Sequence, residues 1–160
     1  MMDRSTLFSM SIHIEELTKA IKLNLSPSLL KKEYREQNKT NPTFGHCYVA
    51  TETLYHLLYN EELKLNVNFD FLNKDIIELF GVTHSNKHFP HHGKDENNIT
   101  HWWLENHNGH ILDVTSEQYT SLGKTPPYKN GRRGAFLTKL PSKRSQKLIL
   151  STMMLLELKQ

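Results

Sequence analysis

The stretch Thr100-His101-Trp102-Trp103-Leu104-Glu105-Asn106-His107-Asn108-Gly109-His110-Ile111-Leu112-Asp113-Val114-Thr115 constrains the fold of this 160-residue chain more than any other. An aromatic-rich run precedes Asn106–Gly109 and an alternating run follows it, which is the pattern of two short antiparallel strands joined by a turn. Counted outward from the turn, His101 and Asp113 fall about six residues away on either arm, so the reading has them face each other across the ladder. A carboxylate that holds an imidazole fixes its tautomer and leaves the other ring nitrogen to take a proton.

A base of that kind needs a nucleophile, and the one cysteine of the chain is Cys47. It opens the run Cys47-Tyr48-Val49-Ala50-Thr51-Glu52-Thr53-Leu54, whose apolar spacing continues through Leu57 and Leu58 as a helix that ends near Asn60. Unpaired N–H groups in the first turn of a helix stabilise a thiolate. Gly45 lets the chain turn tightly just before it. The competing reading is that Cys47 is a small apolar filler of the core. Upstream, Asn41 stands six residues before Cys47. It is a candidate oxyanion donor alongside the Cys47 N–H, and equally a turn former before Pro42.

The order Cys, His, Asp, with the cysteine at a helix start, resembles the transglutaminase-like branch of the papain-like superfamily. The wording Gly45-His46-Cys47, His101-Trp102-Trp103 and Asp113-Val114-Thr115-Ser116-Glu117-Gln118-Tyr119 looks closer still to YunG-like proteins and related small phage or bacterial proteins. Those carry Gly-Gln-Cys, an aromatic-rich His strand and Asp-x-Thr-x-x-Gln-[Phe/Tyr]. The likeness covers about residues 41–120. One departure is His46, which stands where that pattern has Gln, next to the nucleophile, and is counted here with the substrate-binding residues. The resemblance implies an α+β, papain-like (transglutaminase-like) domain with a central Cys-bearing helix packed on a small antiparallel sheet. It implies a Cys47-His101-Asp113 triad for acyl transfer or amide and peptide hydrolysis, on a protein or small amide substrate and with no cofactor.

The length fits one domain over 1–160, divided into a helical region to residue 40, the Cys/His/Asp core over 41–120, and a final part with a basic loop, a strand and a helix. In the first part, Ile12, Ile14, Leu17, Ile21 and Leu25 predict a helix with Ser11 as cap, and Ser26-Pro27 opens a second helix toward Gln37. Leu63 to Phe69 alternate as a strand, and Asp75 to Phe80 suggest a short helix closed by Gly81. His84, His88, His91 and His92 crowd one stretch, readable as a metal site or as a polar loop at the cleft. Of the two tryptophans, Trp102 is assigned to the substrate groove and Trp103 to packing. Residues 121–134 read as a loop that serves as a lid, with Arg132 and Arg133 as donors to an anionic group. Ala135 to Leu140 suit a strand, and Ser142 caps a C-terminal helix.

A net charge of +3 with 23% charged residues does not point to nucleic acid, and the late Lys/Arg cluster reads as a solvated face. One cysteine permits no internal disulfide, and no apolar run reaches the ~20 residues of a membrane span. The expectation is a cytoplasmic protein without membrane contact, a host protein being a conceivable partner. Two further classes stay open: a non-catalytic phage-type binding or inhibitor protein on a papain-like scaffold, and a His-rich metal-binding module.

Overall fold

The computed structural model describes residues 11–41, 43, 45–60, 62–63, 65–68 and 87–159. Strand β1 (Ser11–His13) runs directly into helix α1 (Ile14–Leu23). Two 3-10 turns, Pro27–Leu29 and Lys32–Tyr34, then lead to the short helix α2 (Arg35–Asn38). Helix α3 is Cys47–Tyr59 and strand β2 is Asn66–Asn68. Strands β3 (Phe89–Lys94), β4 (Thr100–Glu105) and β5 (Ile111–Leu112) follow, then helix α4 (Glu117–Thr120), strand β6 (Arg132–Arg133) and the long helix α5 (Lys143–Lys159). The result is a mixed α/β fold. Its main sheet is antiparallel with the order β5-β4-β3-β6, and β1 pairs with β2 in a separate parallel ribbon.

The core forms because α1, α3 and α5 each bury an apolar stripe against the others and against one face of the sheet. Leu17 and Ile21 of α1, Ala50, Leu54 and Leu57 of α3, and Leu148 and Leu156 of α5 are all buried in one cluster, with Leu104 of β4 closing it from the sheet. Helix α5 starts where Ser142 caps it: the Ser142 Oγ accepts the Ser145 N–H at 3.2 Å. That hydroxyl also donates to the Glu52 carboxylate, which is fully buried in α3, so the cap ties the two helices together.

Several expectations are corrected. Ser11 and Ile12 belong to β1 rather than to a helix cap, because Ile12 pairs with Val67. The segment 26–37 breaks into short 3-10 and α turns; Ser26 Oγ pairs with Ser28 Oγ at 2.7 Å and caps no helix. The histidine-rich stretch is a strand from Phe89 onward, at the centre of the sheet, and not a loop. The last strand lies at Arg132–Arg133, where it pairs with His91 and His92, and residues 135–140 form none. The proposed helix over 75–80 and the position of His84 lie outside the described residues. Among the described residues no helix is long and apolar enough to cross a membrane.

Candidate active site

Helix α3 delivers Cys47 as its first residue, directly after His46. Gly45 makes that start possible. Its φ is +80°, and a Cβ there would lie 3.0 Å from Leu30 Cδ2 and 3.2 Å from Tyr34 Cβ, so the position requires glycine on two counts. The cysteine is 7% exposed and its Sγ lies 3.7 Å from the Thr100 carbonyl oxygen, at the head of β4.

The next residue of β4 is His101, which is fully buried. Its Nε2–H donates to Asp113 Oδ2 at 2.7 Å. Asp113 is held from several directions. Tyr128 donates its hydroxyl to Oδ2 at 2.8 Å, and the Thr115 N–H and hydroxyl both turn to Oδ1, at 3.0 and 3.4 Å. A carboxylate with this many donors cannot rotate away from the imidazole. The ring itself is clamped between Trp103, stacked at 5.9 Å between centroids, and Tyr119, edge-on at 4.9 Å. Burial by itself lowers the basicity of His101. The hydrogen bond to Asp113 and the neighbouring Cys47 thiol outweigh it, and the pKa is raised to about 9.

The other ring nitrogen, Nδ1, is buried without a hydrogen-bond partner. The Cys47 thiol stands close enough to it to raise the imidazole pKa while its hydrogen bond goes to the Thr100 carbonyl. Sequence register and structure differ in one respect. The ladder pairs Leu104 with Leu112 and Glu105 with Ile111, two residues away from the register expected, so Asp113 is not opposite His101. The chain leaves the two-residue β5 and turns at Asp113, and the carboxylate reaches His101 diagonally.

Beside this cluster lies a cavity of about 430 Å³, lined among others by Asn41, Asp95, Ile99, Gln118, Tyr119 and Lys124. Tyr119 joins the two: its ring touches His101 and its hydroxyl donates to Asp95 Oδ2 at 2.8 Å. Asn41 therefore does sit near the site, but its Nδ2 donates to the Gln118 carbonyl at 3.1 Å, and its Oδ1 accepts the Thr43 hydroxyl at 3.3 Å.

The remaining sequence candidates are placed elsewhere. His46 is fully buried, donating from Nε2 to the Ser26 carbonyl at 2.9 Å and accepting from Asn38 at Nδ1, so its side chain holds the chain before α3 and does not line the cavity. Trp102 lies on the face of β4 opposite to His101, where it meets Tyr48 of α3 at 5.0 Å and stacks on Phe136 at 6.1 Å. The tryptophan beside His101 is Trp103. Arg132 and Arg133 are exposed on β6, with the Arg133 guanidinium 3.8 Å above the Phe89 ring, outside the cavity lining.

The histidines of the crowded stretch separate for the reason strands always separate neighbours: His91 and His92 point to opposite faces, toward Trp103 and Trp102 respectively. His88 is buried and shares a 2.8 Å hydrogen bond with His110. No group of three or more metal-ligating side chains gathers among the described residues. Sequence reasoning missed Tyr128, Asp95 and Glu105, which accepts the Trp103 indole N–H at 2.9 Å. Tyr128 had no signal beyond its place in a proline-rich loop. Gln118 and Tyr119 stand in the motif that follows Asp113. No family model, no curated protein and no solved structure matches the chain.

Proposed function

We propose that the protein is a cysteine-dependent acyltransferase or amidohydrolase of papain-like type, of the transglutaminase-like, YunG-like kind that its motifs resemble. The observation that carries this reading is the His101 imidazole, clamped by Asp113 at Nε2 and left open at Nδ1 on the side of Cys47. An imidazole with a pKa of about 9 is protonated at neutral pH, which suits a thiolate–imidazolium pair.

In the proposed reaction Cys47 Sγ attacks the carbonyl carbon of an amide and a C–S bond forms. The Cys47 N–H, at the open first turn of α3, stabilises the oxyanion. The C–N bond then breaks, and the amine leaves with the proton that His101 carried. Neutral His101 next takes a proton from water or from an acceptor amine, whose attack on the thioester breaks the C–S bond and restores the thiolate beside the imidazolium. Asn41 would have to release the Gln118 carbonyl before it could add a second donor.

A second reading, a binder that keeps the arrangement without turnover, is favoured by the closure of the site: Cys47 is 7% exposed, and the His101 and Asp113 side chains are 0% and 3% exposed. One experiment separates the two. Treatment with p-nitrophenyl acetate should release a stoichiometric burst of nitrophenol and leave one acetyl group on Cys47, the thioester intermediate, detectable by mass spectrometry. Absence of both, in a folded protein, leaves the binder.

A further inference from the structure

Gln118 is buried to 6% exposure, yet its Oε1 has no hydrogen-bond partner. An unpartnered buried carboxamide is costly to the fold, and such a group calls for a partner, a ligand being one that can supply it. Gln118 is among the residues that line the 430 Å³ cavity, which Tyr119 joins to His101. Two other carboxamides in that lining are committed: Asn41 donates to the Gln118 backbone carbonyl and Asn130 to the Lys94 carbonyl at 3.2 Å. A half-turn of the Gln118 terminal group exchanges its oxygen and nitrogen within the same volume. It can therefore accept from an amide N–H or donate to an amide carbonyl.

We propose that this cavity is the acyl-group subsite of Cys47 and that Gln118 is its specificity residue, hydrogen-bonding an amide carried next to the reacting carbonyl. The substrate class is then a peptide-type acyl donor, and a simple aliphatic acyl group gains nothing from Gln118. This rests on the acyl-transfer reading of Cys47 given above.

The test uses Gln118→Met, which keeps the volume and removes the polar atoms, on the full chain. Acylation of Cys47 is measured with the p-nitrophenyl ester of N-acetylglycine, which carries the amide, and with p-nitrophenyl acetate, which lacks it. Iodoacetamide alkylation reports the thiol alone. The variant should lose roughly tenfold in rate with the acetylglycine ester, the worth of about one hydrogen bond, with the acetate ester and alkylation unchanged. Its melting temperature should be equal or higher, since no bond in the free protein is lost. An equal loss with both esters, no loss with either, or a fall in melting temperature accompanied by slower alkylation overturns the assignment. Wild-type alkylation that is insensitive to His101→Ala is a different outcome: it overturns the triad reading, and the subsite with it.

Discussion

His101 Nε2 and Asp113 Oδ2 meet at 2.7 Å although the two residues do not pair in the β4–β5 ladder. The pairing stops at Leu112, and the freed backbone lets Asp113 swing toward the ring while Thr115 and Tyr128 fix it there. The clamp thus depends on the end of a strand and not on its register. Replacing Asp113 by Asn keeps the shape and removes the charge that offsets the burial of His101. The expected outcome is a fall of the imidazole pKa from about 9 toward or below its ordinary value. Iodoacetamide alkylation of Cys47 at pH 7 should slow by about tenfold or more, the lower end of what positioned acid–base groups contribute. The pH profile of alkylation in the two proteins checks it, and identical profiles would remove Asp113 from the mechanism.

Stability should carry the same signature. A base whose folded pKa lies above its unfolded value stabilises the fold fully below the unfolded pKa and loses that contribution as pH rises through the folded one. For His101 the window is from ~6.5 to about 9, worth on the order of 3 kcal/mol. His88 works in the opposite sense: burial, reinforced by His110, lowers it to about 4. The unfolded chain then binds the extra proton, so its contribution is lost as pH falls from ~6.5 through 4. Denaturation midpoints across pH 4–9 should peak near 6–7. His101→Ala should flatten the alkaline side only, and His88→Ala the acid side only.

What the sequence disclosed was what is local. The helix that starts at Cys47 ends at Tyr59 with Asn60 as its C-cap, as its apolar spacing and final Asn predict. Ser142 caps α5, and Asn106–Gly109 close the hairpin, with Gly109 at φ +82° and Asn106 Oδ1 accepting two backbone N–H groups. What it hid was non-local. Nothing in Ser11–His13 announces a partner at Asn66–Asn68, and two residues of β6 are too few to show any alternation. The histidines drew attention to metal chemistry because their spacing along the chain is short, but a strand divides such neighbours between two faces. For the candidate site, Cys47 is reached as the single cysteine, and His101 and Asp113 from the hairpin pattern and the motif resemblance. Their support by Tyr128 and Tyr119 could not be reached in this way, since those two arrive from other elements, whereas Trp103 shares a face of β4 with His101.

The packing behind the imidazole yields a further prediction at Gly131. A Cβ there would lie 2.3 Å from Trp103 Cζ2 and 3.0 Å from the Tyr128 carbonyl oxygen. Trp103 is fully buried and stacked on His101, so it has no free direction in which to yield. Gly131→Ala should destabilise by about 1–3 kcal/mol through overpacking and should slow Cys47 alkylation by displacing the ring that supports the base. Gly109→Ala is the control: its added Cβ meets nothing within 4 Å, so it should cost only the backbone strain of its positive φ and leave alkylation intact.

Tyr128 provides the sharpest separation of support from chemistry. Burial first, and then the adjacent Asp113 carboxylate, raise its phenol well above the ordinary range, so it stays a neutral donor at every working pH. Tyr128→Phe keeps the edge-on contact with Trp103 at 5.1 Å and removes one donor to Asp113 Oδ2, an oxygen that also serves His101. The buried carboxylate then loses stabilisation that only the imidazolium can replace, and the variant should be less stable by about 1–3 kcal/mol. Because the imidazolium is left as the remaining side-chain donor to Oδ2, its hold on the proton should tighten, and the alkaline loss of stability should move to higher pH. Urea denaturation at pH 6, 8 and 9.5 tests both parts. A destabilisation of equal size at all three values would show that Tyr128 braces the fold without reaching the His101–Asp113 pair.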